Sequence, residues 1–205
     1  MVLFLNRFKP RLFRWHAASL LILLLGLTGT IVPDTFAQEL ERREARVQAT
    51  YLTHLLNYTR WSRDHLPVAG QSPQILVIGS EQNGFIASLQ YLLSQSGTKI
   101  GGVPVRNTHI LSGNSLTDLK KGAQVIVLMP DANLSLDVIK KHSPGAVVFA
   151  FGRDFVTQKG VDVSFVSSRN RVKLILSENY FRRTSPKLSA KIANLKSVIE
   201  IIKHS

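Results

Sequence analysis

The histidines are the first residues to consider as metal ligands or general bases. The six of them are His16, His54, His65, His109, His142 and His204. No two lie at the spacing that places metal ligands on one turn of a helix, and the sequence has no His-Glu-x-x-His motif. Cysteine is absent, which excludes a disulfide, a thiol nucleophile and a thiolate zinc site. The sequence therefore predicts no metal and no cofactor.

Motifs for nucleophilic catalysis and phosphate binding are also missing. No Gly-x-Ser-x-Gly segment occurs. Residues 79–84 lack both the glycine spacing of a dinucleotide-binding loop and the Gly-Lys-Ser/Thr ending of a phosphate loop. Asp131 and Asp154 each follow a predicted strand, and we interpret them as turn and cap residues. We therefore expect no catalytic residues and no enzyme.

The elements that must position any site follow an alternating pattern of strands and helices. Uniformly apolar runs at 74–78, 123–129 and 146–151 are typical of buried parallel strands, and 103–111 is a further strand-like stretch. Helical periodicity is present at 38–61, 85–94, 116–121 and 134–142. This alternation predicts an α/β fold with helices on both sides of a sheet.

The last third of the chain shows a different pattern. Alternating apolar residues at 161–166 and 172–177, separated by a turn at 167–171, predict an antiparallel hairpin. An apolar stripe every three or four residues at 185–203 predicts a C-terminal helix. We therefore expect a single-domain layered α/β fold. Its sheet is mixed but mostly parallel, it is flanked by helices, and it ends in a late antiparallel hairpin and a C-terminal helix.

The first 37 residues have the features of a secretory signal peptide. Four basic residues (Arg7, Lys9, Arg11 and Arg14) precede the uncharged stretch 17–32, and Thr35-Phe36-Ala37 forms a small-x-small cleavage site. We predict that residues 1–37 are removed and that residues 38–205 form one domain exported to the periplasm. An uncleaved inner-membrane anchor is the alternative, and both place the domain outside the cytoplasm.

Positive charge dominates the predicted mature chain. The first 37 residues hold four of the 26 basic and one of the 13 acidic residues, so the remaining 168 carry 22 and 12, a net charge of +10. Such a surface suits an anionic partner. After export we expect an acidic protein domain or the anionic membrane surface rather than nucleic acid. Positive charge that only maintains solubility is the simpler alternative.

Several ordered segments resemble the YfiR-like family of periplasmic proteins over about residues 46–202. The first helix keeps Tyr51, Leu52, Tyr58 and Trp61 of the pattern A-Y-L-x-N-F-x-x-Y-x-x-W-P. Lys99-Ile-Gly-Gly-Val-Pro-Val105 resembles the family step Lys-x-x-Gly-x-Pro-Val. Leu188-Ser-Ala-Lys-Ile-Ala-Asn-Leu195 is similar to L-S-S-K-L-L-x-L. The order of these segments behind an export signal carries the resemblance.

The sequence departs from the family pattern at a few positions. Leu76 and Ala123 stand where the family often carries cysteine, so family disulfides cannot form. Ser177 stands where asparagine usually follows the hairpin, and Lys159 replaces one glycine of a pair.

The resemblance implies regulation rather than catalysis. YfiR-like proteins bind the periplasmic domain of a membrane-anchored diguanylate cyclase and hold it inactive. An OmpA-like outer-membrane lipoprotein can sequester the repressor, after which cyclic di-GMP and biofilm formation rise. The family also tends to form homodimers. We therefore expect the periplasmic domain of a cyclase, an OmpA-like lipoprotein and a second copy of the chain as partners. We expect no nucleic acid.

Aromatic and arginine side chains are the usual anchors of protein interfaces. On that basis the candidate partner-binding residues are Tyr58, Trp61, Arg169, Arg171, Arg182, Arg183 and Lys187. For Trp61 the alternative is a place in the core, since large aromatic residues carry much of the buried area. For the basic residues the alternative is an ordinary solvated face.

Two other functions stay open from the sequence. One is a periplasmic small-ligand-binding or sensor module, with the ligand at the strand carboxyl ends near Gly79, Asp131 and Gly152. A thermal-shift screen tests it, because a ligand of the native state raises the melting temperature. The other is an exported hydrolase. This function is excluded if the protein keeps its full function after replacement of His54, His109 and His142.

Overall fold

The computed structural model describes residues 34–68, 70–81, 83–105, 122–157, 160–168 and 171–203. The predicted helix at 116–121, most of the predicted strand at 103–111 and the first 33 residues of the predicted signal peptide lie outside these ranges. The chain divides into two compact units, Met1–Ala37 and Gln38–Ser205. Almost all described residues belong to the second unit.

The described residues form ten strands and five α-helices. In chain order the strands are β1 (Thr59–Arg60), β2 (Ile75–Ile78), β3 (Lys99–Ile100), β4 (Val103–Pro104), β5 (Val125–Leu128), β6 (Val147–Phe151), β7 (Val163–Ser168), β8 (Arg171–Ser177), β9 (Lys187–Leu188) and β10 (Ile199–Ile202). The helices are α1 (Asp34–Asn57), α2 (Phe85–Ser96), α3 (Leu136–His142), α4 (Arg153–Thr157) and α5 (Glu178–Arg182). Single 3₁₀ turns lie at Arg63–His65 and Ala190–Asn194.

A six-stranded sheet of order β10-β8-β7-β6-β5-β2 forms the centre of the domain. The strands β2, β5, β6 and β7 run parallel, and β8 returns antiparallel to β7 as the predicted hairpin. The outermost strand β10 pairs parallel with β8. The predicted mixed, mostly parallel sheet with a late hairpin is confirmed.

Alternate residues of the strands build two separate cores. On one face, strand residues such as Val127 and Phe149 pack against α1 and α2. On the other face, residues such as Ile126 and Val148 pack against Ile139 of α3 and Val156 of α4. Because both faces of the parallel strands are covered, their sequences are continuously apolar. The predicted layered α/β fold is confirmed.

The helix α1 packs along the first core through a continuous apolar stripe. Its buried residues are Ala45, Ala49, Leu52, Leu55 and Leu56, which recur at helical spacing. The helix ends at Asn57, four residues before the predicted end, because Thr59 pairs with Leu188 in the short ladder of β1 and β9. Among the described residues no helix is both long and apolar enough to cross a bilayer.

The predicted C-terminal helix at 185–203 is wrong. These residues form β9, a 3₁₀ turn and the edge strand β10. The segment Ile199–Ile202 is rich in β-branched residues, which favour strands. It pairs with the open edge of β8, with Ile199 opposite Leu174. The spacing of the apolar residues fitted a helix, but pairing with the sheet decides the structure.

Candidate protein-interaction surfaces

The structure divides the predicted partner-binding residues between two regions. Tyr58 and Trp61 flank β1, Arg182 and Arg183 end α5, and Lys187 begins β9. These three elements are in contact, since β1 pairs with β9 and α5 packs on β9. Arg171 begins β8, whose other end leads into α5, so a whole strand separates it from the first group. Arg169 lies outside the described residues.

Trp61 is half-buried and packs against the first core. Its indole Nε1 is buried and has no hydrogen-bond partner in the described part of the chain. Tyr58, three residues earlier, is 44% exposed. The structure therefore leaves Tyr58, rather than Trp61, as the accessible aromatic side chain of this region.

Arg183 is held inside the domain by three groups. Its Nη1 lies 3.0 Å from Oδ1 of Asp162, and its Nη2 donates to Oδ2 at 3.2 Å. Its Nε donates to the carbonyl oxygen of Pro186, and the guanidinium lies 4.9 Å from the centre of the Tyr180 ring. Arg183 is thus occupied in binding its own chain.

Asp162 is a buried carboxylate with two sources of stabilisation. Besides Arg183, the backbone amide of Val148 donates to Oδ2 at 2.8 Å. Burial raises the pKa of Asp162 above its ordinary value, while the charge of Arg183 acts in the opposite direction. The pair joins the start of β7 to the end of α5.

The exposed residues of the first region are three basic side chains and one aromatic side chain. Arg60, which the sequence analysis missed, lies directly opposite Lys187 in the antiparallel ladder, so both side chains project from the same face. Arg182 is exposed and pairs with Glu178 at 2.7 Å. We call Tyr58, Arg60, Arg182 and Lys187 the β1–β9 patch. Arg60 could be recognised as part of this surface only once β9 was known to pair with β1.

Arg171 borders a cleft between α1 and the start of β8. The cleft has a volume of about 350 Å³ and is closed on one side by residues 197–198, before β10. Its apolar lining includes Leu40, Val47, Tyr51 and Val198, and its basic residues are Arg43, Arg171 and Lys173. We call this feature the α1–β8 cleft.

At the strand carboxyl ends, Asp131 is bound by the chain itself. Both carboxylate oxygens of Asp131 accept from the amide of Ser80 at 3.0 Å. Hydrogen bonds from Ser80 lower the pKa of Asp131. A Cβ on Gly79 would overlap the Asp131 carboxylate. A nearby cleft of about 140 Å³ is lined by other residues, among them Phe85 and Met129.

The side chain of His65 contacts two serine hydroxyl groups. Its Nδ1 lies 3.0 Å from Oγ of Ser185 and 3.4 Å from Oγ of Ser62. No carboxylate bonds to its ring among the described residues, so the orienting member of a catalytic triad is missing there. The ring lies where a Cβ of Gly145 would be. His65 thus fastens three segments together.

Of the other described histidines, His142 at the end of α3 lines a cleft of about 360 Å³ together with His65. His54 is exposed on α1, and His109 lies outside the described residues. In the described ranges no group of three His, Asp or Glu side chains is placed to hold a metal ion.

Comparison with known families assigns the chain. The YfiR/HmsC-like family model matches residues 45–196, and the chain belongs to this family. Members are periplasmic regulators of cyclic di-GMP signalling that act with a partner protein. None of the curated proteins compared with the chain matches it. The matched region runs from the buried part of α1 to the turn before β10.

Proposed function

We propose that this chain is a periplasmic negative regulator of a membrane-anchored diguanylate cyclase. Residues 1–37 direct its export, and the domain binds the periplasmic domain of the cyclase. Binding lowers cyclic di-GMP synthesis and biofilm formation. An OmpA-like outer-membrane lipoprotein relieves the repression by sequestering the domain. The observation that carries the proposal is the family match over residues 45–196.

The mechanism requires differential binding. A regulator changes the activity of a cyclase only if it binds one conformation more tightly than the other. Moving a two-state equilibrium from almost fully active to almost fully inactive takes about a 10⁴-fold preference. The β1–β9 patch supports such binding because it presents Tyr58 with three cations on paired strands and a short helix. A homodimer of the chain presents this surface twice.

The test is cellular cyclic di-GMP after deletion of the gene. We expect the level to rise on deletion and to return when the full-length chain is restored. A version lacking residues 2–37 should leave it raised, because it stays in the cytoplasm. Biofilm mass measured in the same strains should follow the same order. An unchanged cyclic di-GMP level on deletion would contradict the proposal.

A further inference from the structure

The α1–β8 cleft combines an apolar lining with an excess of positive charge. Val47, Tyr51 and Val198 are half-buried residues of its lining. Arg43 and Arg171 are exposed at its border, and Glu44 is the acidic residue in the lining. The cleft therefore joins the two features that an amphipathic ligand with negative charge recognises.

Neither Arg43 nor Arg171 forms an ion pair with any described residue. Another acidic side chain, Glu200, interacts electrostatically with Lys173 but is held by Arg153. Its two carboxylate oxygens accept from that guanidinium at 2.9 and 2.7 Å. A carboxylate arriving from outside thus meets two cations that form no ion pair within the described ranges.

The shape favours a protein over a membrane. A basic apolar surface that binds a bilayer projects its apolar residues into the interface. Here the apolar residues lie within a cleft of about 350 Å³ between a helix and a strand. A volume at the small end of ligand pockets suits one or two large side chains of a docked segment.

We propose that the α1–β8 cleft is a docking site for an acidic amphipathic segment of a protein partner. Apolar side chains of that segment enter the cleft, and its carboxylates contact Arg43 and Arg171. The assignment of this partner to the periplasmic domain of the cyclase rests on the proposed function. The recognition chemistry does not rest on the proposed function, so the docking site and the identity of its partner are tested separately.

The first experiment tests the chemistry with a defined probe. A fluorescein-labelled helical peptide of glutamate and leucine is titrated with the purified full-length chain, and its anisotropy is measured. The R43E/R171E variant should bind about tenfold more weakly or worse, because two charge contacts become repulsive. The K99E/K141E variant changes the total charge equally at exposed lysines that belong neither to the cleft nor to the β1–β9 patch, and it should change affinity less than about twofold. Circular dichroism melts of both variants confirm that they fold.

Three outcomes overturn the docking site. One is equal weakening by both variants, which means that only the total charge matters. The second is undiminished binding of a peptide in which serine replaces leucine, because the apolar lining is then unused. The third is binding to lipid. In that case the wild-type chain sediments with phosphatidylglycerol vesicles, of the two variants only R43E/R171E fails to sediment, and the peptide does not compete with the vesicles. That result assigns the cleft to lipid.

The second experiment places the site in the cell. The deletion strain is complemented with the wild-type chain, R43E/R171E or K99E/K141E at equal periplasmic level, and cyclic di-GMP is measured. We expect R43E/R171E to lose repression and K99E/K141E to keep most of it. Full repression by R43E/R171E rejects the cleft as the cyclase site. Failure of the wild-type chain to repress rejects the proposed function and leaves the peptide result standing.

Discussion

At the scale of single residues, a buried polar network fixes the junction of α1, β7 and α5. Thr59 Oγ1 donates its one proton to the carbonyl of Leu55 at 2.7 Å. It also lies 2.6 Å from Oη of Tyr180, so the tyrosine is the donor in that bond. Burial raises the pKa of Tyr180, which keeps the phenol protonated for this role. Arg183 on the Tyr180 ring then links the hydroxyl pair to Asp162.

Replacement of Asp162 should destabilise the domain strongly. Removing one member of a buried ion pair leaves the other uncompensated, and D162A also leaves the amide of Val148 without its acceptor. We expect D162A to lower the free energy of unfolding by about 3–5 kcal/mol. D162N should cost less, because its amide oxygen still accepts from Val148. Urea unfolding measures both, and a loss below about 1 kcal/mol for D162A would contradict this account.

The same carboxyl predicts a pH dependence. A carboxyl whose pKa is raised on folding binds its proton more tightly in the native state than in the unfolded chain. It contributes stability below the unfolded pKa of about 3.9, and this contribution is lost as the pH rises through the folded pKa. Lowering the pH from 7 to about 4.5 should therefore shift the stability difference between wild type and D162N toward wild type. Urea unfolding of both proteins at the two pH values measures it, and a shift toward D162N is the contrary result.

The residue scale also shows where sequence reasoning stops. Arg182 and Arg183 are adjacent and chemically identical, and both were candidate partner-binding residues. One is exposed beside Glu178, whereas the other reaches a carboxylate 21 residues earlier in the chain. No feature of the local sequence distinguishes the two arginines, because their different surroundings depend on where β7 begins relative to α5.

At the scale of elements, the contact of His65 with Gly145 connects the 3₁₀ turn after β1 to the loop before β6. A Cβ at position 145 would overlap the imidazole ring. We expect G145A to destabilise the domain by about 1–3 kcal/mol through overpacking. Because H65A removes the ring, G145A should cost much less in the H65A background. Equal costs of G145A in both backgrounds, measured by urea unfolding, would show that the overlap is relieved elsewhere.

The edge strand β10 makes a separate prediction. A chain ending at Val198 loses the ladder to β8 and exposes the side of Ile175 that β10 now faces. We expect a loss of about 2–4 kcal/mol and faster aggregation, since an unpaired edge invites other chains to pair. Thermal unfolding with light scattering measures both. E200A, which breaks only the exposed pair with Arg153, is the control and should change little.

The elements show why most of the fold was predictable and the C-terminal segment was not. The strands β2, β5 and β6 are buried on both faces, so their composition alone identifies them. In the hairpin β7–β8, apolar and polar residues alternate, and the two paired strands are neighbours in the sequence. In contrast, the helix-like spacing of Leu188, Ile192 and Leu195 arises from a ladder residue, a 3₁₀ turn and its cap. Only the open edge of β8 decides the structure of the residues that follow.

At the scale of the whole molecule, excess positive charge sets the rate of encounter with a partner. The full chain carries a formal net charge of +13, and the portion after residue 37 carries +10. A charged surface of this kind accelerates association with an acidic domain, and salt screens the effect. We expect the association rate with the cyclase domain to fall about tenfold or more between about 50 and 500 mM salt. Surface plasmon resonance measures it, and a rate independent of salt excludes electrostatic steering.

The parallel pairing of β10 with β8 also determines when the sheet can be completed. Synthesis delivers a chain from its amino end, so residues 199–202 arrive after every other strand of this sheet. Until they arrive, the free edge of β8 displays amide and carbonyl groups that no earlier segment of the sheet occupies. The sheet therefore gains its last strand only after nearly the whole described chain has been delivered.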